Sequence, residues 1–353
     1  MNDDQFAFFR ELVETTGPSG YEARTQAVWR RRVESVADEI STDSLGNAVA
    51  VLNPSGRPKV MLDAHIDELG FLIKHIDDGG YLYFHPIGGF DAATLTGNRV
   101  QIIGKNGPVL GVVGGRKPIH LLDADERKKT PEIKNMWIDI GAQSKAEAEA
   151  LVGIGDAGGR VHAMTRLQGN LVTSAALDDR VGCYLVAEAV RALGTNKPAA
   201  AVFAASSVQE EIGLRGARVN AYASEATVGI ALEVTWTTDY PQAPKSELGD
   251  IRVGAGPVFT RGANINPRVY ERLVAAADAE GVPYQVDAHA RGTPTDLDVM
   301  QLTRTGMATG LISIPTRYLH TASELLSLDD VDAAVAILAR FVRDLDETVD
   351  LTP

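Results

Sequence analysis

The order of apolar and polar positions divides the chain into two textures. Phe6, Phe9, Leu12 and Val13 recur at helical spacing, which predicts a helix from Asp4 to Thr15 with Asp3 or Asp4 as its cap. Gly17-Pro-Ser-Gly20 ends it. Val28, Trp29, Val33 and Val36 predict a second helix from about Glu22 to Ala37. Ser44–Leu52 then turns into a strand, and Asn53–Pro58 reads as a hairpin turn. Val60, Met61 and Leu62 form a short apolar run bounded by Pro58 and by polar residues, the pattern of a buried strand.

After Gly70 the texture changes. Between Phe71 and Thr165 many short β-like runs are separated by turn signals such as Asp77-Asp-Gly-Gly80 and Lys105-Asn-Gly-Pro108, which predicts a small barrel or sandwich. From Asn170 the alternation of strand and helix returns. It predicts a helix Arg180–Leu193, strands Ala199–Ala205 and Thr227–Val234, a helix Pro267–Glu280, a strand Met307–Ile314 and a final helix Leu328–Leu345. The expected fold class is α/β, with residues 1–70 and 166–353 forming one discontinuous domain and residues 71–165 inserted into it.

A chain of 353 residues fits about two domains. Its 34 Lys and Arg against 47 Asp and Glu leave a net charge of −13, which argues against nucleic acid or an anionic membrane as partner. Cys183 is the single cysteine, so no intramolecular disulfide forms, and its apolar context makes it a buried helix residue. The opening Met-Asn-Asp-Asp-Gln has no basic segment followed by an apolar one, and no apolar run approaches a membrane span. A cytoplasmic location is therefore expected.

The candidate chemistry begins directly after the buried strand, where Asp63, His65, Asp67 and Glu68 put three carboxylates and an imidazole in six residues. Buried carboxylates need a counter-charge, and a divalent metal would supply one, with His65 as ligand and Asp67 orienting its other ring nitrogen. Four further acid or imidazole groups sit just beyond a strand or at a helix start: Asp178, Glu210 with Glu211, Glu233, and His320. In open α/β sheets the crevice at the carboxyl ends of the strands is where ligands bind. Two metals sharing a bridge fit this set. Asp178 is the candidate bridge, one ion adds His65 and Glu233, the other adds Glu211 and His320, and Glu210 is left as general base. Each has a plainer alternative: Asp179 pairs with Arg180 or caps its helix, and Glu210 is only an outer acceptor. His75, His85, His120, His162 and His289 read as structural or surface histidines, with His120 in Lys117-Pro-Ile-His120 the one of most interest.

The segments Asp63-Ala-His-Ile-Asp-Glu-Leu-Gly70, Ile87-Gly-Gly89, Lys117-Pro-Ile-His120, Ile138-Asp-Ile-Gly-Ala142, Leu177-Asp-Asp-Arg-Val-Gly-Cys183, Val208–Ala217 and Tyr318-Leu-His-Thr321 resemble the glutamyl aminopeptidase and tetrahedral aminopeptidase family, some of whose members were first labelled endoglucanases. The resemblance spans nearly the whole chain. It implies a zinc-peptidase-like α/β/α catalytic domain with an inserted β-barrel dimerisation domain, and homo-oligomers that are often tetrahedral dodecamers. It also implies two divalent ions per subunit, zinc with cobalt or manganese as options. It implies His65, Asp178, Glu211, Glu233 and His320 as ligands, Glu210 as base and Asp67 orienting His65, and the partition given above owes much to it. Two departures stand out. Many members carry Asp where this chain has Glu233, and the usual Gly-Thr-Asp appears as Gly292-Thr-Pro-Thr-Asp296, with Asp296 expected to line the substrate side.

The function expected is therefore a metal-dependent aminopeptidase acting on peptides. An amidohydrolase or deacylase of a small N-acyl or modified amino acid would use the same metals. A non-catalytic assembly protein would have lost ligands or base, and no such loss is visible. Glycoside hydrolysis needs no metal, and the His65 and His320 pattern argues against it.

Overall fold

The computed structural model describes residues 1–161 and 163–353; His162, and the expectation made for it, lie outside the described residues. The large sheet has eight strands in the order Glu39–Thr42, Ala48–Leu52, Ala201–Ser207, Lys59–His65, Val228–Trp236, Ala308–Thr316, Val258–Gly262, Gln285–His289. Its four central strands, Ala201–Ser207 through Ala308–Thr316, run parallel, so their carboxyl ends share one edge. Side chains alternate across each strand. Val60 and Leu62, Ile230 and Leu232 pack with the helices Asp3–Glu14, Ala23–Val33, Leu177–Gly194, Pro267–Glu280 and Leu328–Arg343. Met61, Ala231 and Leu311 pack on the opposite face, with Arg215–Ser224 and Leu297–Gln301. The result is an α/β/α layer structure with a core on each side of the sheet.

The turn Asn53–Pro58 is not a hairpin. Ala201–Ser207 lies between the two strands it joins, antiparallel to Ala48–Leu52 and parallel to Lys59–His65. Asn53 Nδ2 donates to the carbonyls of Pro198 and Ala199, at 3.0 and 3.1 Å, and so ties the turn to the incoming segment. The hairpin is formed instead by Glu39–Thr42 and Ala48–Leu52. Asp43 turns it, one carboxylate oxygen accepting the N–H groups of Leu45, Gly46 and Asn47. The first helix is likewise capped one residue earlier than expected. Asn2 accepts from the Gln5 N–H while the Gln5 side chain accepts from the Asn2 N–H, which leaves Asp3 and Asp4 in the first turn where the helix dipole favours them.

The strands between Gly70 and Arg160 close into an antiparallel barrel in the order Gly70–Ile76, Leu82–Ile87, Trp137–Asp139, Gly107–Gly114, Arg99–Gly104, Ala157–Arg160. It is filled by its own cluster, including Phe71, Ile73, Phe84, Ile102 and Ile138. Closure removes the free edges that so many short strands would expose. Thr165–Arg166 already belongs to a separate three-stranded sheet with Leu171–Ser174 and Glu324–Ser327. No helix of the described residues is long and apolar enough to cross a membrane.

Candidate metal centre

His65 ends the central strand Lys59–His65, directly opposite Ser207 of the neighbouring parallel strand. Two residues of loop beyond that Ser207 place Glu210 and Glu211 over the same edge. Glu233 faces the edge from Val228–Trp236, opposite Ser313. His320 follows Ala308–Thr316, and Asp178 sits at the start of Leu177–Gly194, where Asp178 and Asp179 depart from helical backbone angles. All of these candidates therefore meet at the carboxyl end of the parallel strands.

Asp178 is shared between the two imidazoles. Its Oδ1 lies 3.2 Å from His65 Nε2 and its Oδ2 lies 3.2 Å from His320 Nε2. Glu233 Oε1 is 4.0 Å from His65 Nε2, and Glu211 Oε1 is 4.0 Å from His320 Nε2. Ligand atoms of His65, Asp178 and Glu233 all lie within 4.8 Å of one another, and so do those of Asp178, Glu211 and His320. Glu210 belongs to neither group, although its Oε2 is 3.7 Å from His65 Nε2.

Asp67 stands behind this array and is fully buried. His65 Nδ1 faces it twice, 3.2 Å from its backbone carbonyl and 3.5 Å from its carboxylate Oδ1. The same carboxylate accepts the N–H of Glu210 at 3.0 Å, that of Glu211 at 3.2 Å and the Ser19 hydroxyl at 2.6 Å. Asp67 thus fixes the loop carrying both glutamates as well as the ring of His65. Gln209, which enters that loop, has φ of 59°.

The electrostatics are those of a site short of positive charge. Burial, together with the repulsion of Asp178, pushes the Glu211 carboxyl up to about 8. Burial also pushes Glu210 to about 7, with Asp67 and Asp178 acting in the same direction against the imidazoles. Glu233 is driven well above the ordinary carboxyl range, first by burial and then by Asp179. Burial alone would lower His65, but Glu210, Asp178 and Asp67 outweigh it and hold the imidazole well above its usual range. Glu211 Oε1 is buried without a hydrogen-bond partner. Nitrogen and oxygen donors in two overlapping groups, with an orphaned carboxylate oxygen among them, fit a pair of borderline divalent cations.

Of the remaining candidates, some fall as expected and others do not. Arg180 does not pair with Asp179. It reaches Glu68, and Asp179 instead accepts the Gly182 N–H at 3.1 Å, capping its helix. Asp296 does not line the cavity: it is buried behind the wall facing Asp63, and burial beside that second carboxyl raises it well above its ordinary range. The wall itself is formed by Thr293, Pro294 and Thr295. His289 is a surface or loop histidine by its sequence, yet it ends an edge strand and lines the cavity beside Trp236, with Asp287 3.0 Å from its Nε2. His120 lies in a turn of the barrel region, exposed and outside the cavity lining. His75 and His85 are exposed on barrel strands.

Sequence reasoning missed Glu324 and Arg160. Glu324 is buried, and its carboxyl accepts the backbone N–H of Asp178 at 3.1 Å and of His320 at 2.9 Å; burial beside Asp178 pushes it up to about 8. Arg160, from the last barrel strand, donates to the His320 carbonyl at 2.9 Å. Both act on backbone, so neither carries a motif.

A family model described as M42 glutamyl aminopeptidase matches residues 46–337. A lysyl aminopeptidase of Pyrococcus furiosus is 37% identical over 350 residues, 98% of each chain. Among solved structures, a TET aminopeptidase from a marine sediment archaeon of the Thaumarchaeota superposes with a TM-score of 0.92 at 33% identity, covering 98% of this chain and 97% of that one. A Pyrococcus horikoshii TET1 peptidase that can assemble into a tetrahedron or a large octahedral shell superposes with a TM-score of 0.85 at 28% identity, covering 97% and 100%.

Proposed function

The chain belongs to the M42 glutamyl aminopeptidase family, and from that premise we propose that it removes N-terminal residues from peptides, using two divalent cations and Glu210 as general base. The observation that carries the reading is the pair of donor groups sharing Asp178. One ion would be held by His65, Asp178 and Glu233, the other by Asp178, Glu211 and His320. Zinc suits these nitrogen and oxygen donors, and cobalt or manganese would also be accepted. When bound, the pair supplies Lewis acidity to the scissile carbonyl and to the attacking water.

The protein's own groups do the rest. Glu210 lies beside both donor groups without belonging to either, so its carboxylate is free to accept the proton of the water and return it to the departing amine nitrogen. Asp67 holds His65 in orientation and keeps the Glu210–Glu211 loop in register. The acidic surroundings favour the free amino terminus of a peptide. The side chain and following residues of the substrate would meet Trp236, His289 and Thr293–Thr295.

Self-association into a homo-oligomer is part of the same reading. The barrel region leaves Leu110, Val112, Ile119 and Leu121 exposed, apolar surface that a second copy would cover. The function is tested by exhaustive chelation followed by reconstitution, assayed on aminoacyl-anilides and short peptides. Loss of activity with metal removal and recovery on adding Zn²⁺, Co²⁺ or Mn²⁺ is expected. Full activity at near-zero metal content would overturn it.

A further inference from the structure

His320 has a left-handed backbone, φ 59°, and so does Tyr318 two residues before it, φ 61°. For residues other than glycine this conformation costs on the order of 1–3 kcal/mol and persists only where the surroundings impose it. Here the imposition can be named. The N–H of His320 donates to Glu324 Oε1 at 2.9 Å, and its carbonyl accepts from Arg160 Nη1 at 2.9 Å. Both polar groups of one strained peptide position are held by ionisable side chains, and both of those side chains are buried.

Glu324 also does something that a local clamp would not require. Its other oxygen, Oε2, accepts the N–H of Asp178 at 3.1 Å. Asp178 and His320 are far apart in sequence, and their side chains meet at 3.2 Å. A single carboxyl group therefore spans the backbones of the residue shared by both donor groups and of one terminal donor. Glu324 is itself fixed by its strand, where it pairs with Ser174. Ser174 ends its strand only three residues before Asp178, so the strand pairing that fixes Glu324 also brings it beside the Asp178 backbone.

Resting on the metal-centre reading above, we propose that Glu324 is a positioning residue that sets the spacing between Asp178 and His320, with Arg160 completing the clamp from the barrel. The geometry suits a carboxyl: the two N–H donors arrive from different segments and each meets its own oxygen, whereas an amide held in the same pose offers one oxygen and an NH₂ that would face a donor. Glu324→Gln keeps the shape and breaks one of the two contacts. Arg160 matters for a different reason: it links the barrel to the cation site through one hydrogen bond to backbone, a contact that leaves every ligand side chain untouched.

The experiment is a Zn²⁺ titration of metal-free protein against a chromophoric chelator, paired with the visible absorption spectrum of the Co²⁺-loaded form and the melting temperature of the metal-free form. Wild type is measured first: failure to take up two ions refutes the metal-centre reading itself. Given two ions in wild type, Glu324→Gln is expected to weaken one of them by about 10–100-fold, the usual effect of losing an outer hydrogen-bond partner of a ligand. Its Co²⁺ spectrum should change, while the metal-free melting temperature stays close to wild type. Arg160→Met should weaken the same ion, and Arg160→Lys should restore part of the loss by still reaching the carbonyl. Wild-type affinity for both ions and an unchanged Co²⁺ spectrum in Glu324→Gln would overturn the proposal. If that variant does not fold, Arg160→Met with its Lys rescue carries the test with the same two outcomes.

Discussion

Arg180 Nη2 lies 3.1 Å from Glu68 Oε1, with the guanidinium wholly removed from water. The same guanidinium donates to the carbonyls of Ile66, Leu12, Val13, Thr15 and Gly17. It fastens the end of the first helix and the segment after His65 to the helix that begins at Asp178. Arg180→Met would strip these buried carbonyls of a shared donor and leave the Glu68 carboxylate, which keeps the Gly17 N–H, without its ion-pair partner. We expect a loss of about 3–5 kcal/mol in denaturant-induced unfolding. A loss below about 1 kcal/mol would show that the network contributes little.

Asp67 serves His65, Ser19 and two backbone amides with one carboxylate, so its removal should disturb ring and loop together. Asp67→Ala is expected to lower metal affinity or turnover by about 10–100-fold. Steady-state kinetics with measured metal content checks this, and near-wild-type values for both would remove Asp67 from the account.

His289 and Trp236 meet edge to face with ring centroids 6.2 Å apart on the cavity wall, away from the donor groups. His289→Ala should raise KM several-fold and shift preference among aminoacyl-anilides, with kcat nearly unchanged, because it removes a contact made equally in ground and transition states. A fall in kcat at constant KM would place His289 in the chemistry instead.

Asp330 offers a pH test distant from the cation site. Burial pushes its carboxyl up to about 6 from an ordinary 3.8, despite the N–H groups of Gly254 and Gly256 that it accepts at 2.7 Å each. The folded state then holds a proton that the unfolded chain releases, so this group's contribution to stability falls as pH rises from about 4 to about 6 and is constant below and above. The span corresponds to about 3 kcal/mol. In wild type minus Asp330→Asn, the stability difference should decline across that window. Parallel curves would contradict the assignment.

Some of this architecture could be read from residues alone because the signals are local. An apolar strand ending in Asp63-Ala-His65, and acid clusters after other apolar runs, place His65, Asp178, Glu211, Glu233 and His320 near a common strand edge, and the structure brings their side chains together. The barrel was legible from closely spaced turns. What failed was non-local. Insertion of Ala201–Ser207 beside Lys59–His65 depends on parallel pairing across more than a hundred residues, which leaves no mark on the turn Asn53–Pro58. The edge strand Gln285–His289 is short and carries no buried position, so by its sequence His289 reads as a loop residue. Asp296 was displaced from the cavity by its burial against Asp63. Glu324 and Arg160 bind peptide groups, and any sequence could occupy the backbone they hold.

The central claim separates two adjacent glutamates. Glu211 shares a donor group with Asp178 and His320, whereas Glu210 lies outside both groups. Turnover and metal content of Glu210→Gln, measured together, test this most directly. The account predicts two ions retained, peptide binding retained, and turnover reduced by roughly 10²–10⁴-fold, the loss of a general base. Glu211→Gln should instead lose or loosen one ion. Near-wild-type turnover in Glu210→Gln, or loss of metal from it while Glu211→Gln stays fully loaded, would contradict the account.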